Sequence, residues 1–287
     1  SGAAVQGRGI AVDGSGNVYL GGYFSGANLT APALTKIGSQ DAFALKLSST
    51  GATTWAKNFG GSGASVYGNG VTVDGSGNVY QGGYFYNTNL TTPPLTKIGT
   101  YDAFALKLDS NGATTWAKDF ASTTPGNTNG YATATDVSGN TYLAGTFDST
   151  TLTLGSFTLA RIGPRDTFVA KLDASGTVLW ARNFGGSGAY ANGRGIAVDG
   201  SGNVYLGGFF TSANLTTPAL TKIGAQDAFA LQLNSSGATT WAKSFGGSGA
   251  YAVGWGIAVD GSGNVYLGGY FYNADLTTPA LTKIGTY

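Results

Sequence analysis

The chain has 287 residues, a formal net charge of +1 and only 10% charged residues, and it contains no Cys, His or Met. So few charges leave no basic stripe for a nucleic-acid backbone, and no run of about 18 apolar residues is present for insertion into a membrane. Without Cys and His there are no disulfides and no thiolate or imidazole metal sites, and the commonest general base is missing.

The first predicted strand is Gly9-Ile10-Ala11-Val12-Asp13, small residues alternating with β-branched ones, as a strand beside a crowded axis requires. A Gly14-Ser15-Gly16-Asn17 turn tolerates positive φ, and Asp13 can bond its backbone. The second strand, Val18 to Phe24, completes a hairpin. Ser25 to Gln40 follows as an ordered excursion pinned by Leu29, Leu34 and Ile37, with room for one short extra strand. A second hairpin pairs Asp41-Ala42-Phe43-Ala44-Leu45-Lys46-Leu47 with Thr53-Thr54-Trp55-Ala56-Lys57-Asn58-Phe59, in clean period-2 alternation. A Gly60-Gly61-Ser62-Gly63-Ala64 crossing then leads into the same series again.

The turn Asn recurs at 17, 78, 140, 203 and 264, in steps of 61, 62, 63 and 61, so one supersecondary unit is stacked several times. Two antiparallel hairpins per unit make the four-stranded blade of a β-propeller. A β-solenoid is the alternative, but its coils are shorter and are not strict hairpins joined by Gly-rich crossings. The expected fold is all-β, a single propeller domain over 1–287 with blades at about 1–61, 62–122, 123–185, 186–246 and 247–287, the last incomplete. The first hairpin occurs five times and the second four times, and Tyr287 aligns with Gln40. The chain therefore reads either as part of a longer repeat protein or as a five-bladed ring whose last blade has only its inner strands. An open blade edge invites a strand or hairpin from another protein chain. The absence of Met marks the chain as a processed or excised segment, with any signal peptide outside it.

The motif Asp-Gly-Ser-Gly-Asn-Val-Tyr-Leu-Gly-Gly at 13–22, with Asp-Ala-Phe-Ala-Leu-Lys-Leu and Thr-Thr-Trp-Ala-Lys-Asn-Phe-Gly-Gly, resembles the bacterial β-propeller repeat family called SBBP. The second hairpin also resembles the blade repeat of quinoprotein-type propellers, in which a Trp on the outer strand docks between blades. The resemblance covers essentially the whole chain. It implies seven blades and a secreted or cell-surface protein of bacteria or archaea, mostly with no assigned reaction. No residues match a quinone site, and no cofactor is expected.

Candidate sites fall into repeated and variable positions. Asp13, Asp74, Asp136, Asp199 and Asp260 occur in Asp-x-Ser-x-Asn turns, a weak Ca²⁺ pattern with one carboxylate each, for which Asx-type turns are the plainer reading. Trp55, Trp116, Trp180 and Trp241 suit sugar stacking or, at a fixed place in every unit, packing between blades. Lys46, Lys107 and Lys171 read as snorkelling side chains or as partners of the Asp five residues earlier. The units differ at Arg8, Asn69, Tyr131, Arg194 and Trp255, five residues before each turn Asp. If the first strand is innermost, these ring one mouth of the central channel. They differ again just before the second hairpin, at Gln40, Tyr101, Arg165, Gln226 and Tyr287, placed on exposed loops. Arg and aromatic residues there point to binding, with drift as the alternative. The Tyr-Phe-Tyr runs at 84–86 and 270–272 read as packing, and the third unit departs most, with Pro125, Arg161 and Pro164.

With no His, no Cys, no carboxylate pair and no phosphate loop, an enzyme is not expected. The leading reading is a non-enzymatic, secreted or surface-displayed structural or adhesive module that assembles through its incomplete blade. The alternative is a lectin-like propeller binding glycans at equivalent sites between blades.

Overall fold

The computed structural model describes residues 2–285; Ser1, Thr286 and Tyr287 lie outside the described residues. Each unit folds into one antiparallel sheet. In the first unit the strands are Ala4–Val12, Val18–Ser25, Gln40–Leu47 and Thr53–Phe59, hydrogen-bonded in that order. The second, third and fourth units repeat this order, and the fifth contributes Tyr251–Val259 and Val265–Tyr272. Among the described residues there is no helix. Sheets of this kind, stacked with their first strands together, make the fold a β-propeller.

The first strands abut along the axis, and glycine sets their spacing. A Cβ on Gly9 would lie 2.8 Å from Val71 N and 2.9 Å from Asn69 O of the next unit, and one on Gly70 would lie 2.6 Å from Thr133 N. The second strand carries a Tyr facing the following unit: Tyr19, Tyr80 and Tyr142 are fully buried and Tyr205 nearly so. The third strand carries a Phe (Phe43, Phe104, Phe168, Phe229) that seats over a second-strand glycine of its own unit, within 2.9 Å of where a Cβ would stand on Gly22, Gly83, Gly145 and Gly208. Only a residue without a side chain permits that approach.

Units are stitched at two places. Gln40, Tyr101, Arg165 and Gln226 each pair in parallel with the start of the next first strand, at Ser65, Asn127, Tyr190 and Tyr251. On the outer rim, Trp55, Trp116 and Trp180 donate their indole N–H to carbonyls of the next unit, Ser110, Ala174 and Ser235, each at 3.1 Å. The excursion is a two-stranded ribbon rather than a single extra strand: Leu29–Thr30 pairs with Ala33–Leu34, and the third unit lengthens it to Thr151–Leu154 with Phe157–Ala160.

The two end units differ from the middle ones. Ile10, whose counterparts Val71 and Ile196 are buried against the preceding unit, is 67% exposed, and Tyr266 is 58% exposed. Unit five therefore does not cover the face of unit one. Beside Gly269, where the other units seat their Phe, lies an apolar cavity of about 280 Å³ lined by Leu267, Phe271, Leu276 and Leu281.

Candidate binding site at the channel mouth

In each first strand the register with the second strand slips by one residue: between Gly7 and Gly9, Gly68 and Gly70, Gly130 and Ala132, Gly193 and Gly195, and Gly254 and Gly256. The skipped residues are Arg8, Asn69, Tyr131, Arg194 and Trp255. Each is the extra residue of a β-bulge, displaced from the ladder, and bulges commonly re-aim a side chain. These five variable positions thus carry no cross-strand partner. All five line one cavity of about 390 Å³, together with Tyr67 and Tyr84.

The wall is an almost continuous run of rings and guanidinium groups. Arg8 lies 5.4 Å from the Tyr23 ring centroid and donates to Tyr23 Oη and Gln6 Oε1, both at 2.8 Å. Tyr23 packs on Tyr67 at 4.6 Å, and Tyr67 stacks on Tyr84 at 4.7 Å. Tyr84 meets the edge of Tyr131 at 6.5 Å. Arg194 closes the series, its guanidinium carbon 4.1 Å from the Tyr131 ring, 5.2 Å from Trp255 and 5.7 Å from Phe209. Asn69 donates to Gly130 O at 2.8 Å and ties the second unit to the third. Trp255 is 49% exposed.

Among the described residues, no Asp or Glu lines the cavity. The Nε of Arg194 is buried without a hydrogen-bond partner, and Arg194 forms no ion pair among the described residues. Burial pushes the Tyr84 hydroxyl well above its ordinary range, and the neighbouring tyrosines add to the effect. Burial does the same for Tyr67, with a hydrogen bond to Tyr86. Tyr67 and Tyr84 therefore stay neutral, and the two arginines among the rings make the mouth cationic and aromatic.

The other candidates are placed differently. Tyr101 and Arg165 are not on exposed loops and do not line the cavity. Both sit at the parallel stitch between units, Tyr101 packed 4.6 Å from Tyr86 and Arg165 paired with Asp148 at 3.3 Å. A position just before the second hairpin can be this constrained because it opens the third strand, as Tyr101 does, or bridges to the next unit directly before that strand, as Arg165 does. Tyr287 lies outside the described residues. Lys46, Lys107 and Lys171 do not pair with the Asp five residues earlier. That Asp is buried: Asp41 accepts from Ile37 N, Gly38 N and Asn58 Nδ2. The lysines instead lie over Tyr19, Tyr80 and Tyr142 at 5.2–5.3 Å.

The turn carboxylates are fully engaged. Asp13 Oδ1 accepts from Ser15 N and Asn17 N, and Oδ2 from Asn17 Nδ2 and Tyr19 Oη, all at 2.8–2.9 Å. Asp74, Asp136, Asp199 and Asp260 repeat the pattern. Four donors converge on each carboxylate where a Ca²⁺ ion would need free oxygens, so these residues build turns.

Tyr67 and Tyr84 belong to the site, although sequence reasoning passes over Tyr67 and reads Tyr84, in the run at 84–86, as packing. The available signal is a second variable column two residues before the bulge: Gln6, Tyr67, Asn129, Asn192 and Val253.

Among solved structures, the chain is similar to Kuenenia stuttgartiensis hydrazine synthase, with a TM-score of 0.50 and 10% identity over 91% of this chain and 73% of that one. A protein of unknown function from Bacteroides caccae aligns at a TM-score of 0.32 and 10% identity, covering 84% and 82%. At such identity the first likeness speaks for the fold alone. No match to a curated protein sequence was found. The model of the SBBP β-propeller repeat matches residues 1–29, 54–90 and 179–208, so at three segments this chain carries the SBBP β-propeller repeat.

Proposed function

We propose that this chain is a non-enzymatic propeller module of a secreted or cell-surface protein, and that it adheres by binding glycan at the mouth of its channel. The observation that carries the reading is the convergence of five bulge residues of differing chemistry on one cavity. A volume of about 390 Å³ falls in the range of roughly 300–1,000 Å³ usual for small-ligand sites. Aromatic rings beside a few polar groups suit the apolar faces and hydroxyls of a sugar ring. The reading differs from a lectin with equivalent sites between blades, because the rim between blades is occupied by the Trp side chains. A glycan array probed with the intact chain and with Trp255→Ala and Tyr131→Ala variants tests it. Signal lost in both variants, with thermal unfolding unchanged, is the expected result. Signal that survives both variants, or no signal for the intact chain, overturns it.

A second reading, a structural module completed at its fifth unit, is favoured by the empty Phe seat beside Gly269. There a β-hairpin bearing the Asp-x-Phe-x-Leu pattern would find an apolar slot and an unpaired second-strand edge.

A further inference from the structure

We propose that the ligand at the channel mouth is an acidic sugar, a pyranose ring bearing a singly charged oxyanion, with Arg194 receiving the charge and Tyr131 and Trp255 the ring. The proposal rests on the glycan-binding reading of the same cavity and adds the class of ligand.

Three features of Arg194 lead to it. First, its position is the bulge residue of the fourth unit, so the fold does not require a cation there; the equivalent residues are Asn69, Tyr131 and Trp255 as readily as Arg8. Second, aromatic rings surround it on three sides, Tyr131, Trp255 and Phe209. A guanidinium held by ring faces keeps its in-plane N–H donors, which match the two oxygens of a carboxylate or sulfate ester. Third, those donors are unanswered: Nε is buried with no partner, and among the described residues no carboxylate lines the cavity. A buried donor left without a partner is costly, and an oxyanion arriving from solvent removes that cost.

The ring-enclosed guanidinium sets the size of the anionic group. Arg8 is the other cation of the lining, but its Nη2 is held by Gln6 and Tyr23 and it lies away from the Tyr131–Trp255 pair. The single planar fork of Arg194 between those rings matches one carboxylate or sulfate ester. The sugar ring follows from the walls, since Tyr131 and Trp255 flank Arg194 and Trp255 is half open to solvent. Tyr67 and Tyr84, neutral at ordinary pH, add hydroxyl groups across the cavity.

The test is titration of the intact chain by ligand-observed NMR with D-glucuronate, D-glucose 6-sulfate, D-glucose and benzoate. It is repeated on Arg194→Gln, Arg194→Lys and Trp255→Ala variants whose folding is checked by circular dichroism. One or both acidic sugars should bind about ten- to a hundredfold tighter than glucose, the range expected of a charge-assisted hydrogen bond. Arg194→Gln should abolish that preference, Arg194→Lys should keep part of it, and added salt should weaken it. Glucose binding as well as glucuronate, in wild type and Arg194→Gln alike, would sink the acidic-sugar assignment and leave the glycan-binding reading standing. Benzoate binding with no sugar binding would sink both in favour of an aromatic acid, and no binding by any probe sinks both outright. Should Arg194→Gln fail to fold, the Arg194→Lys variant and the salt dependence still decide the charge claim.

Discussion

Gln81 occupies the second-strand slot that Leu20, Leu143, Leu206 and Leu267 fill in the other units. It is fully buried, donates Nε2 to Phe43 O at 2.9 Å, and leaves Oε1 with no partner. An unanswered buried amide oxygen costs more than the one bond returns. Gln81→Leu should therefore raise stability by about 1 kcal/mol in a urea titration. A lower midpoint would show that the amide positions the first unit against the second. The turn aspartates make a second case at this scale. Hydrogen bonding, led by the Asn17 side chain, holds Asp13 down at about 2, against 3.8 ordinarily. Burial works the other way at Asp74, Asp136 and Asp199, yet hydrogen bonds still leave each below the ordinary value. A carboxyl depressed in the folded state stabilises it above the unfolded pKa, and that stability is lost as pH falls through the folded one. The contribution of these turns should be complete at about pH 5 and decay below about pH 4. Burial raises Asp102 and Asp166, so they oppose the trend, their penalty easing as the medium acidifies. The Asp74→Asn variant should be less stable at neutral pH and lose stability less steeply between about pH 4 and 2, measured by urea midpoints across pH. An unchanged slope would mean that the turn carboxylates do not set the acid limit.

At the scale of the strand, packing of the first strands depends on glycine, while the turn that follows them does not. A Cβ on Gly70 would press on the backbone of Ala132 and Thr133 in the next unit, while one on Gly75 would meet nothing within 4 Å. Gly70→Ala should thus cost several kcal/mol or prevent folding, by forcing backbones apart. Gly75→Ala, measured by thermal unfolding in parallel, should change little. Equal effects would show that the axis can spread to admit a methyl. The same strand shows where sequence reasoning reaches and where it stops. Period-2 alternation and the repeated turn make the blade and its inner strand legible, and variation among near-identical copies singles out Arg8, Asn69, Tyr131, Arg194 and Trp255. The bulge is not legible, because Gly-x-Gly reads as an ordinary flexible strand until the partner register is known. For the same reason Tyr101 and Arg165 read as loop residues: nothing local announces a parallel bridge to a strand some 25 residues further on. Tyr67 escapes notice because its counterparts are three amides and an aliphatic residue, Gln6, Asn129, Asn192 and Val253, so no aromatic recurs in the column.

At the scale of the molecule, four units satisfy one another and the outermost faces are left over. Ile10, Val12, Tyr266 and Tyr270 form apolar surface that has a partner in every interior unit. Such patches favour association. Appending a copy of residues 227–245 after residue 287, which itself aligns with Gln226, supplies a Phe for the seat beside Gly269 and a partner for the edge of Val265–Tyr272. The extended chain should melt at a higher temperature and bind less of a hydrophobic dye than the chain without it. Equal melting and dye binding would mean that the seat does not accept the repeat's own hairpin.

The bulge has a consequence for how such a protein can change. A side chain in a ladder answers to its neighbours, and replacing it is charged against the stability of the whole sheet. A side chain squeezed out of the ladder answers to its neighbours around the rim and to whatever enters the channel. Here that freedom recurs once per unit, around one opening, so the scaffold resembles a lock whose pins can be recut one at a time while the barrel stays untouched. Duplication of a unit multiplies the pins, and drift at five codons is enough to give the opening a new key.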